Sequence, residues 1–134
     1  MRDKRCAVTE IQARSEAAEC RRLRKVVSRL AADALCSPHA VADVELAVGE
    51  AFSNAVKHGA RNSKVSVRVE AHAKRELAVE MAYPGRRFDT AVTCPTEIQD
   101  GRGGFGRFIM RQLLDGMEYS FRNGRTTVRM VKHR

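Results

Sequence analysis

The sequence predicts an α/β domain, and three observations carry that prediction. Apolar residues recur at three- and four-residue spacing from Ser15 to Gly59, the period of helices with one buried stripe. From Lys64 onward strict alternation replaces that period, as in half-buried strands. An Asn-Gly pair then divides the C-terminal run 117–134 into two short alternating segments, the pattern of a hairpin.

Taken in order, residues 4–12 ("KRCAVTEIQ") form a short strand with weak alternation. From Ser15, a helix buries Leu23, Val26, Val27, Leu30, Ala31 and Ala34 and ends near Cys36. Ser37 and Pro38 then supply an N-cap and a first helical residue whose missing N–H has no intrahelical partner to lose. The second helix stops at Gly59, a residue suited to the left-handed position just past a helix end. Strands follow at 64–70 ("KVSVRVE") and 76–82 ("ELAVEMA"), joined by a link of hairpin length. The stretch 83–106, rich in Gly, Pro and polar residues, is too long for a turn and is a candidate functional loop. A third helix spans Gly106 to Asp115, and the terminal hairpin turns at Asn123-Gly124. No internal repeat or linker interrupts the 134 residues, which make one domain.

Composition narrows the function classes. Lys plus Arg number 25 against 16 Asp plus Glu, a net charge of +9 that attracts nucleotide phosphates, nucleic acid or acidic proteins. Aromatics are only 5% of the chain and tryptophan is absent, so stacking platforms for single strands are lacking and direct nucleic-acid binding is not expected. Cys6, Cys20, Cys36 and Cys94 are far apart, with no Cys-x-x-Cys pair and no secretory leader. They read as free packing thiols of a cytoplasmic protein. No apolar run approaches the ~20 residues of a membrane-spanning helix.

Two segments carry candidate chemistry. In "ELAVGEAFSNAVKHG" (45–59), Glu50, Asn54 and His58 follow at four-residue steps, each advancing about 40° around the helix. The trio borders the stripe of Val44, Val48, Ala51 and Ala55. A carboxylate there can act as a general base and an amide oxygen can hold Mg²⁺, although a helix margin is also where solvated side chains sit. In "GRGGFGRFIM" (101–110), Gly103, Gly104 and Gly106 precede an apolar helix, and backbone N–H groups at a helix start suit phosphate. A flexible lid or a simple cap fits the same residues. The pattern is preceded by a long loop rather than a strand, which excludes a dinucleotide-binding Rossmann unit.

On these residues the chain resembles the bacterial anti-sigma-factor serine/threonine kinases, small members of the histidine kinase/gyrase-like ATPase superfamily. "ELAVGEAFSNAVKHG" is similar to their N-box, "GGFGRFIMRQLLDGMEY" to their second glycine box and following helix, and "NGRTTVRMVKH" to their closing Gly-x-Thr strand. The resemblance spans nearly the whole chain. It implies a two-layer α/β sandwich of the Bergerat type, a mixed, mostly antiparallel sheet with helices on one face, and ATP held between N-box helix and glycine loop.

The resemblance also assigns roles. Glu50 is implied as the catalytic carboxylate and Asn54 as the Mg²⁺ ligand. Gly103, Gly104, Phe105 and Gly106 are implied at the phosphates, and His58, Gly85 and Thr126 elsewhere in the nucleotide site. Arg24 falls where the family has a partner-contacting arginine, though it is also one of several basic residues on that helix face. The family's partners are a sigma factor, which is silenced, and an anti-anti-sigma protein, which is phosphorylated on serine; members are often dimers. One triplet departs from the pattern. Where the family has Asp-x-Gly, with the carboxylate accepting from the adenine amino group, this chain has Tyr83-Pro84-Gly85. A phenol is bulkier than a carboxylate, neutral at pH 7, and donates as well as accepts. Asp89, six residues on, is too displaced to replace it. Two readings therefore stand side by side: an ATP-dependent kinase, and a partner-binding module of the same fold with weak or absent ATP binding.

Overall fold

The computed structural model describes residues 6–35, 37–72, 75–85 and 105–134, with 105–107 as backbone. Strand β1 (Cys6–Arg14) leads through a 3-10 turn (Ala17–Glu19) into helix α1 (Cys20–Leu35) and helix α2 (Pro38–His58). Strands β2 (Lys64–His72) and β3 (Glu76–Pro84) follow, then helix α3 (Phe105–Leu113) and strands β4 (Gly116–Arg122) and β5 (Arg125–His133). The five strands form one sheet in the order β1-β2-β3-β5-β4. The expectation was a mixed, mostly antiparallel sheet, and among the described residues every pairing is antiparallel.

All three helices lie on one face. Val65, Val67 and Val69 of β2, Leu77, Val79, Met81 and Tyr83 of β3, and Val128 and Met130 of β5 turn toward them and are buried. They meet Leu23, Val27 and Ala31 of α1 and Val44, Val48, Ala51, Phe52 and Ala55 of α2 in one core. Small residues on α2 let it sit close to both α1 and the sheet. Helix α1 covers β2 and β3, α2 covers β3 and β5, and α3 leans on α2 and β4. Lys132 clasps the end of α3: its Nζ donates to the Leu113 carbonyl (2.6 Å) and to Asp43 Oδ2 on α2 (3.1 Å). The opposite sheet face is polar and carries a lattice in which Arg68 joins Glu10 and Glu70, and Arg129 joins Glu70 and Glu80. Such exposed pairs contribute little stability individually.

Local signals account for most element ends. The Ser37 side chain accepts from the Ala40 N–H (3.3 Å) with Pro38 at the helix start. Asn123 (φ 54°) and Gly124 (φ 72°) are both left-handed, as a two-residue hairpin turn requires. Two ends differ from the sequence expectation. Helix α1 starts at Cys20 rather than Ser15, because β1 stays paired to β2 through Arg14 and the Ser15 N–H then donates to the Ser63 carbonyl (2.9 Å). The Glu19 carboxylate accepts from the Arg14 N–H (3.2 Å) and from Arg22 (2.9 Å), and the Arg22 hydrogen bond, followed by the Arg14 one, holds it below its ordinary range.

Gly59 is the second difference. It is extended, with φ −80° and ψ 169°, rather than left-handed, although its N–H still donates to the Ala55 carbonyl (2.8 Å). Close approach accounts for the glycine. Gly59 bridges to Gly85, and a Cβ on it would stand 2.5 Å from the Ala55 oxygen and 3.1 Å from Tyr83 Cδ2.

Candidate functional site

The last three turns of α2 carry the candidate side chains. Glu50, Asn54 and His58 are each half-buried, while Ala51, Phe52 and Ala55 between them are fully buried. The periodicity thus puts the trio where it was expected, on the margin of the packed stripe. Asn54 reaches across to the sheet: its Nδ2 donates to the Tyr119 hydroxyl on β4 at 3.3 Å. That bond engages the amide nitrogen and leaves Oδ1 available as a hard oxygen donor. At the helix end, the His58 carbonyl lies beside Gly85, where a Cβ would come within 3.1 Å of it.

Beneath these turns the sheet presents two rows. Met81, Val128 and Tyr119 lie opposite one another across β3, β5 and β4; two residues along, Tyr83, Thr126 and Phe121 do the same. Tyr83 is 0% exposed, its ring packed against the faces that Gly59 and Gly85 leave open. Thr126 is equally buried, and its Oγ1 has no hydrogen-bond partner among the described residues. A buried hydroxyl left so is costly unless something else satisfies it. Tyr119 and Phe121 stack with ring centroids 6.3 Å apart and planes 12° from parallel.

Arg24 is half-buried on the seam between α1 and α2. Its aliphatic stem lies over Gly49, next to Glu50, where a Cβ would come within 3.1 Å of Arg24 Cδ. Its Nε is buried without a hydrogen-bond partner among the described residues. The seam therefore holds a guanidinium, a group that normally engages an anion or a carbonyl, one residue from the candidate base.

The glycine-loop candidates are only partly covered. Gly103 and Gly104 lie outside the described residues, as do Arg102 and most of the loop 83–106; Phe105 and Gly106 form the first turn of α3. Cys6 and Cys20 are half-buried free thiols, and Cys36 and Cys94 lie outside the described residues. Among the described residues no cluster of three His, Cys, Asp or Glu could hold a metal ion. No helix is long and apolar enough to cross a membrane.

Sequence reasoning missed Tyr119, Gly49 and the packing role of Gly59. Alternation along "MEYSF" marks Tyr119 as inward-facing, but nothing local indicates which distant side chain its hydroxyl meets.

Comparison with known proteins agrees with this architecture. Residues 13–132 match the histidine kinase-like ATPase domain. Anti-sigma F factors of a Thermoanaerobacter species and of Thermoanaerobacter pseudethanolicus are each 26% identical over 117 residues, 82% of this chain and 82% of theirs. Among solved structures, the histidine kinase domain of the blue-light activated histidine kinase EL346 from Erythrobacter litoralis superposes with a TM-score of 0.56 at 17% identity. That match covers 87% of this chain and 59% of the other, and it speaks to fold alone. With nearly the whole length matched and the two-layer arrangement in place, this chain belongs to the histidine kinase-like ATPase domain family.

Proposed function

We propose that this protein is an anti-sigma factor of the serine kinase type, which binds a sigma factor and phosphorylates a serine of an anti-anti-sigma partner with ATP and Mg²⁺. The similarity to two anti-sigma F factors over 82% of both chains supports the regulatory role. The observation that carries the catalytic part is the pair Glu50 and Asn54, one turn apart and half-buried, with the Asn54 amide nitrogen already engaged by Tyr119.

The residues present fit a metal–phosphate group. Asn54 Oδ1 is the oxygen that remains for Mg²⁺, and the family resemblance assigns Gly103, Gly104, Phe105 and Gly106 to the phosphates, the last two standing at the start of α3. ATP supplies the transferable phosphoryl group and Mg²⁺ the charge neutralisation that such a transfer needs. Glu50 accepts the proton of the attacking serine hydroxyl on its carboxylate. Thr126 Oγ1, buried without a hydrogen-bond partner among the described residues, would gain one from the base, and His58 and Gly85 would line the same end of the site. Arg24, on the seam beside Gly49, contacts the protein partner. The same reading places the protein in the cytoplasm, where a sigma factor works, with a homodimer as the assembly that the family resemblance implies.

The test is phosphotransfer from ATP to the cognate antagonist, with calorimetric titration of Mg-ATP and Mg-ADP alongside. Glu50→Gln is expected to bind nucleotide and transfer nothing, and Asn54→Ala to lose the metal-dependent part of binding. Undiminished transfer by Glu50→Gln would sink the catalytic assignment.

Tyr83 favours a second reading. Its buried ring fills space beside Gly59 and Gly85, at the position from which the kinases' aspartate meets adenine. A chain so filled could keep the partner surface and lose the nucleotide. Capture of a sigma factor by a wild type that binds no nucleotide would select this reading.

A further inference from the structure

Resting on the kinase reading above, we propose that Tyr119 is a positioning residue that sets the Asn54 amide oxygen toward the metal ion and so determines the Mg²⁺ dependence of nucleotide binding. An asparagine can present either end of its amide, and only the oxygen serves a hard cation. Here the Nδ2 end faces the Tyr119 hydroxyl at 3.3 Å, so the oxygen is turned away from the sheet. The hydroxyl is itself held in place: the Tyr119 ring packs against the core and stacks on Phe121 with planes 12° apart.

The contact discriminates between states. Without a cation the amide can flip, since a phenol accepts from nitrogen or donates to oxygen. With a cation on Oδ1 the nitrogen must face Tyr119, and the phenol oxygen is then the group that satisfies it. Removing the hydroxyl therefore weakens the metal-loaded state more than the metal-free one. Partners of this kind behind a metal ligand typically change affinity about ten- to a hundredfold. Nothing local in the sequence pairs these residues, which are 65 positions apart.

The experiment is titration of ADP, with and without Mg²⁺, into wild type and Tyr119→Phe, with thermal unfolding of both. The expected result is an ADP affinity about tenfold or more weaker in Mg²⁺ for the variant, and a higher half-saturating Mg²⁺ concentration. Metal-free affinity and the unfolding midpoint without ligand should stay near wild type. Equal affinities in Mg²⁺, or an equal loss with and without it, would overturn the positioning role. A wild type that shows no Mg²⁺-dependent ADP binding would overturn the kinase reading itself, and the positioning role with it. That outcome is visible before the variant is made.

Discussion

Replacing Tyr83 by aspartate tests what the buried ring does. The side chain is 0% exposed, and its ring lies where Cβ atoms on Gly59 and Gly85 would approach Cδ2 to 3.1 and 3.4 Å. Removing a large buried aromatic costs about 3–5 kcal/mol when the surroundings cannot collapse, and the two glycine backbones flanking this one belong to a helix end and a sheet bridge that hold their separation. A carboxylate in the same place adds a desolvation penalty. For a domain of this length, where 1 kcal/mol moves the midpoint by about 3–5 °C, Tyr83→Asp should lower Tm by roughly 10–25 °C and still leave a folded protein. If adenine occupies that space, nucleotide should restore much of the loss. Ligand at a hundred times its Kd contributes about 2.7 kcal/mol, roughly 10 °C. Wild type, whose ring must share the space, should gain less from the same Mg-ADP concentration, and its preference for ATP over GTP should be weaker than the variant's. Thermal unfolding with and without Mg-ADP, paired with calorimetry, measures both quantities. A wild type that binds ATP at low micromolar strength, with Tyr83→Asp binding more weakly, would refute the placement of Tyr83 on the adenine.

Arg24→Ala should weaken capture of the protein partner by about 2 kcal/mol or more, some thirtyfold, as truncating an interface arginine does. Its own fold stability should hardly fall, because the change also removes a buried Nε that has no partner among the described residues; pull-down affinity and urea unfolding separate the two effects. Gly59→Ala and Gly59→Asn should both destabilise by about 1–3 kcal/mol, since the conflict is a Cβ 2.5 Å from the Ala55 carbonyl and not the backbone angle. A clear rescue by asparagine relative to alanine, measured from chemical unfolding midpoints, would point instead to a left-handed Gly59.

The order and kind of the elements, and the helix margin on which Glu50, Asn54 and His58 stand, were legible from residue pattern alone. Those features are local: side-chain period, a Ser-Pro helix start and an Asn-Gly turn act over a few residues of chain. The same locality explains where reading by residue type stopped. Gly59 looked like a left-handed helix stop, because a glycine after a helix usually is one. Only the meeting of that helix end with Gly85 and the Tyr83 ring, more than twenty residues on, makes it an extended glycine of close approach. Strand order is of the same kind. The placement of β5 between β3 and β4 sets Thr126 beside Tyr83 and Tyr119 within reach of Asn54, and no window of sequence contains both partners of either contact. Tertiary packing decided these points because close contact depends on which distant surfaces fit together, whereas propensity and period depend only on neighbours along the chain.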